Sequence, residues 1–243
     1  MTDAEILAAA AVFAGGACHA ATGFGFALVA APLVAAALPP EEAITTLLLL
    51  GILTSALTLW TEGRRPRPLW GDAAALLAWG TAGAITGALV LAELSATALQ
   101  LLVTLTVLTA LVTSQTLRKG SDPFRRVEGS GLLAGVLTTT TSANGPPLIL
   151  HLLAREVVAP RMRDTLSVLF VGFGAIGVAA IAVGAGGLAL PGLPLPLVLP
   201  ALAAAGHVAG RPVFARLAEG HYERVVTALL VISVTSGAIV ALT

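Results

Sequence analysis

Of 243 residues, 11% are charged, and the mean hydropathy is +0.95. A soluble domain carries about a quarter charged residues, so this chain lacks the polar surface that water demands, and lipid is its natural solvent. Zero net charge leaves no basic footprint for nucleic acid, and the single cysteine, Cys18, excludes a disulfide framework.

Asp3 and Glu5 stand where a cleavable signal would be basic, so the first apolar stretch is expected to belong to the fold. From Ile6 to Pro40 the only ionisable side chains are Cys18 and His19. That stretch would run about 50 Å as one helix, too long for a single crossing. It contains Ala14-Gly15-Gly16 and Thr22-Gly23-Phe24-Gly25-Phe26, which predict a break. Ala43 to Thr61, Ala73 to Ala92 and Leu94 to Leu117 read as further spans. Gly129 to Ala154 holds a threonine run, Thr138 to Thr141, and then Ser142-Ala143-Asn144-Gly145-Pro146-Pro147. Two successive prolines cannot continue a helix, so a second broken, hairpin-shaped segment is expected there. Thr165 to Gly210 is long enough for two spans, punctuated by the Gly/Pro-rich stretch between Gly184 and Pro196. Val225 to Thr243 is the last apolar run. Lipid offers backbone groups no outside partner, so every span is expected to be helical.

Shifted by 120 residues, the two interrupted stretches align: Gly15 meets Gly135, Thr22 meets Ser142 and Gly25 meets Gly145. A shift of 123 pairs Gly83 with Gly206 and Gly87 with Gly210. Basic residues mark the cytoplasmic side. Arg64, Arg65 and Arg67 place one loop inside, and so do Arg118, Lys119, Arg125 and Arg126 in the centre. Arg155, Arg161, Arg163, Arg211, Arg216 and Arg224 do the same in the second half. The uncharged 184–196 loop and the Glu41-Glu42 loop fall outside. Matched loops thus lie on opposite faces. The expected fold is all-α and polytopic, with two inverted-topology repeats, broken helices and about 8–10 membrane segments. The repeats would span residues 1–117 and 129–243, joined by a cytoplasmic linker, 118–128.

The stretches Gly23-Phe24-Gly25-Phe26-Ala27-Leu28-Val29-Ala30-Ala31-Pro32 and Asn144-Gly145-Pro146-Pro147-Leu148 resemble the two repeat signatures of the TauE/SafE sulfite exporter family. The closing Gly206-His207-Val208-Ala209-Gly210-Arg211 stretch fits the same pattern, and the resemblance covers essentially the whole chain. It implies transport in the bacterial inner membrane, typically export, of sulfite, sulfonates, sulfoacetate-like or other small organic anions. One departure is His151, where an aromatic side chain is commoner in the family.

A substrate-binding role is expected first of the two interruptions. Thr22, Gly23, Phe24 and Gly25 either pack helices closely or expose helix-terminal N–H groups to an anion. Thr141, Ser142, Asn144, Gly145 and Pro146 form the second set, Asn144 serving as donor to an anion, as cap of a half-helix starting at Pro146, or both. His19 and His151 are intramembrane ionisable groups, and each reads equally as a hydrogen-bonded core histidine. Arg211 reaches a vestibule or snorkels to the interface. Trp60 and Trp70 read as interfacial anchors. No metal-type spacing, nucleophile elbow or phosphate loop is present, so neither an enzyme nor a cofactor is expected. Expected partners are a small anionic solute and the bilayer, with a homodimer allowed. The reading is a secondary transporter exporting small anions by alternating access; an anion-selective channel and a non-transporting membrane subunit are the alternatives.

Overall fold

The computed structural model describes residues 2–61, 63, 65–91, 93–95, 97–98, 101–102, 105, 124–184 and 187–216. The expected spans at Leu94–Leu117 and Val225–Thr243, most of the central linker, and Arg64, Arg118, Lys119 and Arg224 fall largely or wholly outside the described residues.

Among the described residues the chain is all-helical, with eight main helices. Helix α1 (Asp3–Thr22) starts at Thr2, whose hydroxyl caps Glu5 N–H while Glu5 bonds back to Thr2 N–H. It stops at Gly23, and α2 (Phe26–Ala37) starts after Gly25. Next come α3 (Pro40–Thr61) and α4 (Trp70–Leu91). In the second half, α5 (Val127–Thr141) stops at Ser142 and α6 (Gly145–Ala154) starts after Asn144. The last two are α7 (Ala159–Gly184) and α8 (Leu195–Arg216), divided by the Gly/Pro-rich stretch. Both expected breaks are therefore present, and so is the split of the long second-half run. Helix α7 begins six residues before the expected span at Thr165, which moves Arg161, Arg163 and Asp164 from a loop into its first turns.

Among the described residues, four helices are long and apolar enough to cross a bilayer: Asp3–Thr22, Pro40–Thr61, Trp70–Leu91 and Pro160–Gly184. Helices α2 and α6 are apolar but too short to cross alone, as expected of half-helices. Large apolar side chains such as Ile85, Leu89, Val183, Leu197 and Val208 are exposed, a surface suited to acyl chains rather than water. Trp60 is 85% exposed and Trp70 65%, at the facing ends of α3 and α4.

Two close helix pairs organise the bundle: α1 with α8, and α4 with α5. Each pair runs in the same direction. Gly16 backs onto Ala203 and His207, and Gly206 and Gly210 back onto Phe13 and Ala17. In the other pair Gly83 backs onto Leu132 and Val136, and Gly135 onto Gly80 and Ala84. Without side chains in the way, the backbones approach closely, which is how helices gain dispersion contact in lipid. Helix α3 packs on α7, α3 on α8, and α4 on α7. Arg155 pairs with Asp72 at 3.0 Å, tying the end of α6 to the start of α4.

Candidate functional site

The two interruptions share one local design. Gly23 takes a left-handed conformation (φ 83) and donates its N–H to His19 O at 2.7 Å. Ser142 is also left-handed (φ 56) and donates to Thr138 O at 3.2 Å. Thr22 Oγ1 donates to Cys18 O at 2.8 Å and accepts the Phe24 N–H. Thr141 Oγ1 donates to Leu137 O at 3.0 Å and accepts the Ala143 N–H. Thr22 with Thr141, Gly23 with Ser142, Phe24 with Ala143 and Phe26 with Gly145 all stand 119 residues apart. Phe13 and Ala17, which Gly206 backs onto, and Leu132 and Val136, which Gly83 backs onto, keep the same offset. The geometry thus corrects the expected shift of 120 by one residue through this region.

The half-helices that follow differ in their donors. The first turn of α2 opens with Phe26 and Ala27, amides at a helix N-terminus, where intrahelical acceptors run out. The first turn of α6 has Pro146 and Pro147, which have no N–H, so Gly145 supplies the amide there. Asn144 sits at the N-cap of α6 but makes no capping bond. Its Nδ2 donates instead to Thr138 Oγ1 at 2.8 Å, across the break to α5. The capping role expected for Asn144 is therefore corrected, as is the expected helix start at Pro146.

Both breaks face one cavity of about 40 Å³. The start of α2 from Gly25 to Leu28 lines one side, and Ser142, Ala143, Asn144 and Gly145 line the other. His19, Ser55, Leu48 and Gly51 from α1 and α3, with Phe170 and Gly174 from α7, complete the wall. His19 is buried, its Nε2 lies 3.4 Å from Ser55 Oγ, and its ring meets Phe170 at 5.9 Å between centroids. A cavity needs about 10–15 Å³ of such volume to admit a water, so this one admits water and small solutes. Helix-terminal amides and the Asn144 side-chain amide bring donors to it, beside the hydroxyls of Ser55 and Ser142 and the His19 ring.

Of the residues singled out from sequence, Gly25, Ser142, Asn144, Gly145 and His19 line this cavity. Thr22, Gly23, Phe24 and Thr141 lie just behind the lining and shape the two turns. Pro146 follows Gly145 in the first turn of α6. His151 lies elsewhere, buried, with Nδ1 donating to Phe124 O at 2.8 Å. Arg211 is exposed and donates to Thr61 O at 2.6 Å, joining α8 to the end of α3.

A family model described as sulfite exporter TauE/SafE matches residues 7–236. The chain belongs to the sulfite exporter TauE/SafE family. No curated protein matches it, and no solved structure does. The family match and the apolar helices identify a transmembrane transport protein.

In this TauE/SafE protein, two features of the site were not anticipated. Ser55 lines the cavity and continues as a polar face through Thr58 to Thr61, a three-residue spacing within an apolar span that could have drawn attention. Arg163 is 8% exposed, and Nη2 donates to Ala20 O at 2.8 Å. Its stem lies so close to Gly23 that a Cβ there would stand 2.6 Å from Arg163 Cγ. The next residue, Asp164, is also buried and accepts the Arg67 N–H at 2.7 Å, while Thr165 accepts the Leu69 N–H at 3.0 Å. Three consecutive α7 residues thus hold the tip of the first hairpin and the α3–α4 connection. Asp164 is a buried acidic group, and Arg163 stands in the first turns of α7 rather than in a loop.

Proposed function

We propose that this TauE/SafE protein is a secondary transporter of the bacterial inner membrane that exports a small sulfur-containing or organic oxyanion by alternating access. The observation that carries this reading is the meeting of the α2 N-terminus and Asn144 across one small, donor-lined cavity. A helix N-terminus bears about half a positive charge and unpaired donors, the physical requirement for holding an anion without a buried cation in contact.

Two inverted repeats underlie the mechanism. Supporting this are the recurring break geometry, the two same-direction pairs α1–α8 and α4–α5, and basic loops that place matched connections on opposite faces. Rocking one half against the other exposes the shared cavity to each face in turn. Export follows from the membrane potential: each negative charge leaving a cell that is negative inside gains about 2.3 kcal/mol per 100 mV.

The test is efflux of radiolabelled sulfite from proteoliposomes containing the purified chain. Saturable efflux, competed by methanesulfonate or another small oxyanion and much reduced in Asn144→Ala, is the expected result. Flux equal to that of protein-free liposomes would remove the reading, and non-saturable ohmic current would turn it into a channel.

A further inference from the structure

Asp164 and Thr165 at the start of α7 clamp the α3–α4 connection on either side of Pro68. Asp164 accepts the Arg67 N–H at 2.7 Å, and Thr165 Oγ1 accepts the Leu69 N–H at 3.0 Å. Thr165 also donates to Arg161 O at 2.7 Å, so its hydroxyl is used twice. At the offset of 119 that relates the two hairpins, Asp164 and Thr165 correspond to Thr45 and Thr46 at the start of α3. At the offset of 123 that pairs Gly83 with Gly206, Arg67-Pro68-Leu69 corresponds to Leu190-Pro191-Gly192, just before α8.

Apolar packing corresponds as well. Leu76 and Leu166 share one buried cluster, and their counterparts Leu199 and Leu47 share the other. The clamp does not correspond. Thr45 Oγ1 and Thr46 Oγ1 are buried and have no hydrogen-bond partner among the described residues. The Leu190 and Gly192 N–H groups donate to no backbone carbonyl there either. Two adjacent buried hydroxyls are costly to leave unsatisfied. Two N–H groups flanking a proline would satisfy them as residues 67–69 satisfy Asp164 and Thr165.

We propose that Thr45 and Thr46 are the open member of a pair of alternating clamps. When Asp164 and Thr165 release residues 67–69 at the face marked by basic loops, Thr45 and Thr46 take the Leu190 and Gly192 N–H groups at the opposite face. This rests on reading the two halves as inverted repeats that carry an anion between them. Two bonds lost at one face are replaced by two at the other, so the states stay close in free energy and a solute can shift them. Both clamp helices wall the cavity, α3 through Leu48 and α7 through Phe170, so a solute held there acts on both. A carboxylate is a stronger acceptor than a hydroxyl, which makes the Asp164 clamp the resting one, as it stands in this structure.

The experiment uses proteoliposomes of the full chain with its one cysteine replaced, Cys18→Ala, and a cysteine pair at each clamp. Leu69→Cys with Thr165→Cys reports the inner clamp. Thr46→Cys with Gly192→Cys reports the outer one, and a Cβ at Gly192 meets nothing within 4 Å. Thr45→Cys with Leu190→Cys is a second outer pair. Mercuric ion is the bridge, because sulfite would cleave a disulfide, and the readout is exchange of radiolabelled sulfite. Exchange before mercuric ion is added certifies that the variant scored is folded. Mercuric ion is expected to stop exchange in each pair but not in its single-cysteine variants, with dithiothreitol restoring it. Inhibition of the outer pairs should be several-fold faster while sulfite is cycling than in its absence, and that of the inner pair slower. Outer pairs that keep exchanging in mercuric ion would overturn the proposal and leave the anion reading intact, as would an inner pair that does so. Absence of exchange in the wild type would overturn the anion reading and this proposal with it.

Discussion

Asn144 reaches back across the break between α5 and α6 and donates its side-chain amide to Thr138 Oγ1 at 2.8 Å. One residue thereby fixes the angle of the second hairpin and lines the cavity. Thr138 in turn donates to Ala134 O at 2.7 Å, so the chain of bonds ends on the helix backbone rather than in solvent.

Asn144→Ala is expected to reduce sulfite flux by roughly tenfold or more, the loss implied by one hydrogen bond to a charged group at about 1.5–3 kcal/mol. Thr138→Val, which removes only the acceptor holding Asn144, should cost less flux and raise KM. Equal effects of the two would show that Asn144 only positions the hairpin. Flux assays on both variants, with melting curves to confirm folding, separate these cases.

The left-handed residue of each turn predicts opposite responses. Ser142 holds φ 56 with a side chain, whereas Gly23 holds φ 83 without one. Ser142→Gly is expected to raise the melting temperature, by relief of strain of about 1 kcal/mol. Gly23→Ser should lower it, because the added Cβ would also stand 2.6 Å from Arg163 Cγ. A Gly23→Ser protein as stable as wild type would contradict the described packing of the first hairpin.

The helix seams make a second stability contrast. Gly135 has the carbonyl of Gly80 where a Cβ would go, while Gly129 has nothing within 4 Å. Gly135→Ala is expected to destabilise by about 1–3 kcal/mol through overpacking, and Gly129→Ala to be near neutral or slightly favourable by helix propensity. Thermal unfolding in detergent checks both.

Arg163 ties the end of α1 to α7 through Ala20 O. Arg163→Met should loosen the first hairpin and lower both stability and flux, while Arg163→Lys recovers the charge and part of the flux. Recovery of stability without flux in the lysine variant would show that the guanidinium geometry, rather than the charge, sets the hairpin tip.

Much of this arrangement is legible in the sequence because backbone chemistry writes it. Pro146-Pro147 cannot continue the helix before them, the glycines at 23 and 25 supply the left-handed conformations of a turn, and the uncharged runs reveal the lipid-facing lengths. The offset of 119 was hidden because Ser142 does the work of Gly23: serine is no signal for a left-handed turn, and identity of Gly25 with Gly145 pulled the alignment by one. Arg163 was read as a loop charge because charge normally ends a span, and its neighbour Asp164 drew no attention. Here their hydrogen bonds to backbone groups of α1 and of the α3–α4 connection let them sit inside. The direction of the Asn144 side chain could not be read, since an asparagine at a helix start can cap forward or bond backward, and only the turn's geometry decides.

The account stands on both hairpins contributing to one solute pocket, and equilibrium binding of radiolabelled sulfite to the purified protein measures that directly. Two single variants probe the two sides. Asn144→Ala removes the donor from the second half. Ala27→Pro removes one amide from the first turn of α2, where proline is tolerated and where α6 already carries Pro146 at the matching position. The account predicts one site per chain, weakened about tenfold or more by either substitution in a folded protein. Wild-type affinity in both folded variants, or loss from one side only, would contradict it.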